Sequence, residues 1–110
     1  MDATNFAALA EPNRLQIVEL LRSGPRAVGD VADVLDLRQP QASKHLAVLR
    51  QTGLVVVDVQ GRRRIHALRA EPFQEIDAWV ASFEHLWARR LDRLGAHLAN
   101  HHPPTGRPTT

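Results

Sequence analysis

Cysteine is absent from this chain of 110 residues, and its absence excludes disulfides, thiolate metal sites and cysteine nucleophiles. No apolar run reaches the ~18 residues of a membrane-spanning helix, and no basic segment precedes a short apolar one as in a signal peptide. We therefore expect a cytoplasmic protein that does not bind membranes. A glycine-rich phosphate loop, a nucleophile elbow and paired carboxylates in a plausible cleft are also lacking, so we expect no enzymatic activity.

The chain is short enough to form one domain, which we place at residues 1–100. Residues 101–110 contain three prolines and no apolar anchor, and this composition predicts a disordered C-terminal tail. A domain of this size buries a modest fraction of its surface and often needs a partner to complete its core. The length therefore favours dimerisation.

Positive charge is concentrated in one part of the chain, although the formal net charge is only +2. Between residues 38 and 69 there are seven Lys or Arg and a single Asp, a local net charge of +6, whereas the rest of the chain carries −4. A local field attracts a polyanion more effectively than a diffuse charge does. This segregation is typical of a nucleic-acid-binding surface on an acidic scaffold.

Apolar spacing predicts a mainly α-helical fold with a small β-hairpin, in the order α-α-α-α-β-β-α. A brief first helix spans Thr4–Ala10, with Thr4 as its N-cap, and a second runs from Pro12 to Gly24. After a segment at 26–28, too short to be more than an edge strand, a third helix is short and leads through a tight link to a fourth, which spans Gln39–Gly53. Two helices this close form a helix-turn-helix.

Beyond the fourth helix the apolar period changes to that of β-strands. Residues 54–57 are rich in β-branched side chains, and the turn at 60–62, which contains Gly61, leads into a return strand through Ile65 and Ala67. From Pro72 onward, bulky residues recur at steps of three and four as far as Leu98. These steps predict one amphipathic helix of about seven turns.

The fourth helix followed by a basic hairpin is the plan of a winged helix-turn-helix. Its inner face, Ala42, Leu46 and Leu49, is expected to pack on the third helix through Val31, Val34 and Leu35. Its outer face carries amides, a hydroxyl and a cation, which reach base edges in a major groove. The predicted DNA-binding residues of this helix are Gln39, Gln41, Ser43, Lys44 and His45.

His45 ranks below Lys44 as a DNA contact, because it flanks the packed face and a buried histidine bonded to backbone is the commoner outcome. In the hairpin, Arg62, Arg63 and Arg64 are predicted to contact the DNA backbone or enter the minor groove. Alternation along the strand would put Arg62 and Arg64 on one face. The alternative for the three arginines is an ordinary solvated turn. The alternative for the polar residues of the fourth helix is an ordinary exposed helix face without a ligand.

The long terminal helix presents a stripe of bulky side chains that a small domain cannot cover by itself. A second copy of the chain would cover the stripe, which consists of Phe83, Trp87, Leu91, Leu94 and Leu98. A dimer would also hold two recognition helices about 34 Å apart, one for each successive major groove of a palindromic operator. Alternatively, Trp79 and Trp87 could line a pocket for a small-molecule effector.

Four histidines near the C-terminus raise the question of a metal site: His85, His97, His101 and His102. His97 and His101 have the four-residue spacing that can share an ion on a helix. A closed site needs further ligands, and thiolates are absent, so we expect no metal and no cofactor.

Several of these segments resemble the ArsR/SmtB family of repressors, and the resemblance extends from Phe6 to Leu98. The stretch 9–15, LAEPNRL, looks like the opening of the family's second helix, and 39–46, QPQASKHL, with Leu49-Arg50 and Gly53-Leu54-Val55 looks like its recognition helix. Gly61-Arg62-Arg63 fits its wing. The resemblance implies a dimer joined by the first and last helices, which adds Phe6 and Leu9 to the interface, and repression relieved by an effector.

The resemblance does not extend to the family's metal sites. Its thiolate site on the third helix would need cysteines where this chain has residues 30–34, DVADV, and Asp77-Ala78-Trp79 lacks the Asp-x-His pair of its last-helix site. The chain therefore looks like a metal-independent member, and we predict a sequence-specific, dimeric DNA-binding repressor. The alternatives are a winged-helix module that binds a protein, and a small-molecule or metal-binding protein without DNA affinity.

Overall fold

The computed structural model describes the backbone of residues 2–101 and the side chains of residues 2–98. The fold is mainly α-helical with one small antiparallel sheet, as predicted. Its elements are α1 (Ala3–Leu9), α2 (Pro12–Leu21), β1 (Arg26–Ala27), α3 (Val28–Leu35), α4 (Gln39–Gln51), β2 (Val55–Gln60), β3 (Arg63–Leu68), α5 (Ala70–Ala81) and α6 (Glu84–His101). Of the predicted tail, only the backbone of His101 is described, and it ends α6; residues 102–110, including His102, lie outside the described residues.

The chain divides into two compact units between Ile76 and Asp77. The first begins with two helices that are capped by carboxylates. The side chain of Asp2 accepts a hydrogen bond of 3.0 Å from the backbone N–H of Thr4, so Asp2 and not Thr4 caps α1. Glu11 does the same for α2 through the N–H of Arg14 at 2.9 Å. The prediction of Thr4 as N-cap was wrong because Asp2, two residues earlier, offers a stronger acceptor at the position where the backbone is still extended.

The core of the first unit is formed by α2, α3, α4 and the strand that follows. Ile17, Leu46, Leu49 and Leu54 are completely or almost completely buried. The predicted inner face of α4 is confirmed, because Ala42 is buried with Leu46 and Leu49. The packing of α3 on α4 is supplied by the buried Val31 and Ala32 and by Leu35 at the edge of the core.

Val34 was wrongly assigned to the packed face of α3, since 56 % of it is exposed. The helix α3 is only two turns long and ends at Leu35, one residue after Val34. Asp36 adopts a left-handed backbone with φ of 54°, and the N–H of Leu37 bonds back to the carbonyl of Ala32 at 2.9 Å. This C-terminal motif turns the chain sharply towards α4 and fixes the aim of the second helix of the helix-turn-helix.

The sheet has the strand order β1-β3-β2, with both pairs antiparallel. The predicted hairpin is present and closes with Gly61 and Arg62 between the paired residues Gln60 and Arg63. Gly61 has φ of 63°, which a two-residue hairpin turn with glycine in first position requires. The sheet is nevertheless three-stranded, because β1 pairs with β3 through Arg26 and His66. The edge strand suggested by sequence is thus part of the wing.

The predicted single terminal helix is wrong, because it is interrupted between α5 and α6 at Ser82 and Phe83. The hydroxyl of Ser82 donates a hydrogen bond of 2.6 Å to the carbonyl of Trp79, and the N–H of Phe83 bonds to Val80, three residues back. A serine that bonds to the preceding turn competes with the helical ladder. The apolar spacing continues through the break, so periodicity alone could not reveal it.

Candidate nucleic-acid interface

The first two turns of α4 present the polar residues that the sequence predicted as a face. Gln39, Gln41, Ser43 and Lys44 are all exposed. The N-cap residue, Arg38, forms no side-chain cap, because a guanidinium has no acceptor. Instead the Gln41 Oε1 atom accepts a hydrogen bond of 3.2 Å from the backbone N–H of Arg38. Gln41 therefore stabilises the start of the helix on which it lies.

His45 is less exposed than these residues. Its side chain is only 19 % exposed, and its Nδ1 atom lies 3.7 Å from Oε2 of Glu11. Glu11 is also the N-cap of α2, so His45 joins the recognition helix to the start of α2. We therefore do not assign a base contact to His45.

The three arginines of the hairpin have different surroundings. Arg62 lies in the turn and is exposed, so strand alternation does not fix its face. Arg63 opens β3, and its Nη2 atom lies 3.3 Å from Oδ2 of Asp30 in α3. Arg64 lines a cleft between the wing and α4. Of the three, Arg63 already has an acidic partner.

The cleft has a volume of about 190 Å³ and is lined by Val28, Ser43, Arg50, Arg64 and His66. His66 is 4 % exposed, and its Nδ1 atom is buried without a hydrogen-bond partner among the described residues. Burial lowers the pKa of the His66 imidazole, and the positive charges of Arg50 and Arg64 lower it further, while a hydrogen bond to the Arg64 backbone opposes the shift. These effects favour the neutral form of the His66 imidazole.

Arg50 and His66 were not predicted as site residues. Arg50 lies near the end of α4, outside the polar face of its first turns, and His66 looked like an ordinary residue of the return strand. The signal that could have found His66 is the period of two in β3, which puts it on the same face as Arg64.

Unpaired cations lie on both elements of the interface. Among residues 2–98, Lys44, Arg50, Arg62 and Arg64 take part in no ion pair, whereas the structure pairs Arg22 with Glu19, Arg63 with Asp30 and Arg69 with Glu71. Unpaired guanidinium and ammonium groups are the groups that bind phosphate oxygens. The recognition helix and the wing therefore offer a surface suited to a polyanion.

The apolar residues predicted to form a dimer interface belong to both units. In the second unit, large fractions of the α6 stripe are exposed: Trp87 57 %, Leu91 64 %, Leu94 53 % and Leu98 45 %. Phe83 contacts Trp79 edge to face, with ring centroids 5.1 Å apart. In the first unit, Phe6 is exposed, whereas Leu9 is half-buried and lines an apolar groove of about 440 Å³ with Leu15, Val18, Leu68, Phe73 and Ile76.

Within residues 2–98, no three His, Asp or Glu side chains are grouped so as to hold a metal ion. In the same part of the chain, none of the helices combines the length and the apolar character that crossing a membrane requires.

Residues 11–57 match the family model described as bacterial regulatory protein, arsR family. The chain is 38 % identical over 105 residues to the HTH-type transcriptional regulator NmtR of Mycobacterium tuberculosis, which covers 94 % of this chain and 81 % of that protein. It is 37 % identical over 97 residues to the arsenical resistance operon repressor of Escherichia coli, with 86 % and 80 % covered.

Solved structures show the same fold. A crystal structure of an ArsR family transcriptional regulator superposes with a TM-score of 0.69 at 35 % identity, covering 78 % of this chain and 94 % of that one. The solution structure of a homodimeric winged helix-turn-helix DNA-binding domain from Mycobacterium bovis has a TM-score of 0.62 at 28 % identity, covering 98 % and 86 %. The order of helices and wing described above is therefore that of a winged helix-turn-helix.

Proposed function

The chain belongs to the ArsR family of bacterial regulatory proteins and is a DNA-binding transcriptional regulator, and on that basis we propose that it is a homodimeric repressor of a palindromic operator. In this proposal α4 reads base edges in the major groove and the wing contacts the phosphate backbone. No enzymatic step is involved.

The observation that carries the proposal is the division of α4 into two faces. Ala42, Leu46 and Leu49 are buried and so fix the rotation of the helix, which leaves Gln41 and Lys44 exposed on its other side and Gln39 exposed at its N-terminus. Gln can pair with adenine and Lys with guanine in the major groove. We assign base contacts to Gln39, Gln41, Ser43 and Lys44, and backbone contacts chiefly to Arg62 and Arg64.

The homodimer is supported by the exposed stripe of α6. Burial of a Leu or Trp side chain contributes roughly 1.5–3 kcal/mol, so a symmetric pair of such stripes would outweigh the cost of association. The relative from Mycobacterium bovis is homodimeric. We propose that Phe83, Trp87, Leu91, Leu94 and Leu98 form the interface, with Phe6 and Leu9 of α1.

The effector that would release the repressor is proposed to act without thiolates, because the chain has no cysteine. This assigns the protein to a branch of the family that does not use thiolate metal sensing. Ligand screens should therefore include small organic molecules as well as ions.

The test is selection of bound sequences from a random duplex library at two salt concentrations. We expect a palindromic motif whose half-sites are about one helical turn apart, and binding that weakens as salt rises. No enriched motif, or binding that salt leaves unchanged, would contradict the proposal and would favour a protein partner for the winged helix.

A further inference from the structure

We propose that the cleft between α4 and β3 is a binding site for a phosphate-class oxyanion, held by Arg50, Arg64 and His66 with Ser43 at its edge. The site adjoins the base-reading face of α4 at Ser43. Where the anion is a backbone phosphate of DNA, the proposal rests on the function proposed above. Where it is free phosphate, the site stands independently of that function.

The charges that line the cleft have one sign. Arg50 projects from α4 and Arg64 from β3, and the lining includes no Asp or Glu. Neither arginine takes part in an ion pair among the described residues, so neither guanidinium has to exchange an acidic partner for the ligand. Two guanidiniums that converge from different elements can each donate to a tetrahedral oxyanion.

The buried histidine is a second, independent observation. His66 lines the cleft, is 4 % exposed, and leaves Nδ1 buried without a partner. Buried polar atoms in folded proteins are nearly always hydrogen-bonded, so an unpartnered one beside a cavity calls for an explanation. An oxyanion in the cleft, or water held by that anion, supplies the acceptor that a ring N–H needs.

The size and place of the cleft fit this ligand class. A volume of about 190 Å³ exceeds that of a single water by several-fold and leaves room for a phosphate group with part of its hydration. Val28 contributes the only apolar side chain of the lining, so the site is too polar and too small for an organic effector of drug size.

Cationic residues flank His66 on three elements, and two of them, Arg50 and Arg64, lower its pKa. Arg26 of β1 pairs opposite it in the sheet, Arg64 precedes it on β3, and Arg50 faces it from α4. Because these groups are cationic, bound phosphate should raise the pKa of His66 towards its ordinary value. The ring nitrogen shifts of His66 report that change without requiring any variant.

The first experiment titrates the full chain with inorganic phosphate, followed by amide and imidazole NMR shifts, with sodium chloride added to hold ionic strength constant. We expect saturable shifts centred on the cleft residues and a higher Tm in phosphate than in chloride at equal ionic strength. The absence of both effects in the wild-type protein would overturn the proposal.

Two single variants locate the site. Arg50→Gln and Arg64→Gln should each weaken phosphate binding by at least about tenfold, since each removes a charged donor. Arg22→Gln removes the same charge at the C-cap of α2, outside the cleft, and should leave the phosphate affinity unchanged. Equal losses in all three variants would show a general charge effect and overturn the assignment. Circular dichroism checks that each variant is folded.

A competition experiment distinguishes the two sources of the anion. Phosphate that displaces the selected duplex more strongly than chloride at the same ionic strength assigns the cleft to a DNA backbone phosphate. Saturable phosphate binding without displacement supports a site for free phosphate. A wild-type chain that binds no DNA would contradict the proposed function alone, because the phosphate titration measures the cleft separately.

Discussion

Arg63 of the wing and Asp30 of α3 are held together across 33 residues of sequence, with 3.3 Å between Nη2 and Oδ2. The pair links the start of the return strand to the first turn of the helix before the recognition helix. It also occupies one of the three adjacent arginines with a carboxylate. A count of the three arginines in the sequence therefore overestimates the unbalanced positive charge of the wing.

Replacement of Arg62 should weaken DNA binding more than replacement of Arg63. Arg62→Ala removes an unpaired cation from the tip of the wing, so affinity for all sequences should fall and the salt slope should decrease by about 0.9. Arg63→Ala removes a cation that is already paired with Asp30, so both changes should be smaller. Fluorescence anisotropy over a salt series measures both slopes, and a larger effect for Arg63→Ala would refute this ranking.

The double substitution of Gln41 and Lys44 by Ala should remove discrimination between operator and random duplex. Each base contact of this kind is worth roughly 1–3 kcal/mol of discrimination, so the specificity ratio should fall by tenfold or more. Gln41→Glu is the matched control for the helix cap, because it keeps an acceptor for the Arg38 N–H but loses the amide donors. Competition binding gives the ratio, and unchanged discrimination would exclude α4 as the reader.

A charge in the stripe of α6 should prevent dimerisation. Leu91→Glu removes an apolar contact from both copies and would bury two carboxylates, so the dimer dissociation constant should rise at least about a hundredfold. Ala96→Glu introduces the same side chain on the opposite face of α6 and should leave the dimer intact. Sedimentation velocity separates the two outcomes, and a dimer that persists in Leu91→Glu would locate the interface elsewhere.

Protonation of His66 should destabilise the fold as the pH falls. The pKa of His66 is lower in the folded chain than its ordinary value of about 6.5, so the unfolded chain binds the proton first. The free energy of unfolding should therefore decrease as the pH falls from about 6.5 towards the folded pKa, and should not change from this source above that range.

Denaturant unfolding at pH 7.5 and pH 5.5 measures this dependence. In His66→Gln the difference between the two pH values should shrink, whatever the absolute stability of the variant. His85→Gln changes an exposed histidine on α6 and serves as the control. An equal pH dependence in wild type and His66→Gln would rule out His66 as its source.

Local sequence was sufficient to predict the helix-turn-helix. The polar face of α4, its buried Ala42 and Leu46, and the glycine turn at Gly61 all follow from spacing and residue type within one element. The same holds for the exposed stripe of α6, although the side-chain assignments to DNA and to a dimer remain predictions.

The features that sequence did not reveal depend on partners far apart in the chain. Asp30 with Arg63, and Glu11 with His45, are ordinary surface residues until the fold brings them together. The position of His66 beside Arg50 requires the register of β3 against β1 and the packing of α4. The interruption at Ser82 was missed for another reason, since a hydroxyl that bonds to its own helix leaves the apolar period intact.

The hydrogen bond between Gln41 and the Arg38 N–H affects the difference in affinity between matched and mismatched DNA sequences. With Gln41 as a base reader, an amide that turns towards DNA leaves the Arg38 N–H at the N-cap of α4 without its side-chain acceptor. An adenine offers that amide both an acceptor and a donor and so compensates for the loss, whereas a base pair without this pattern does not. In the free protein the Arg38 N–H thus competes with DNA for the Gln41 amide. A base pair that cannot compensate for the loss of this hydrogen bond is bound more weakly.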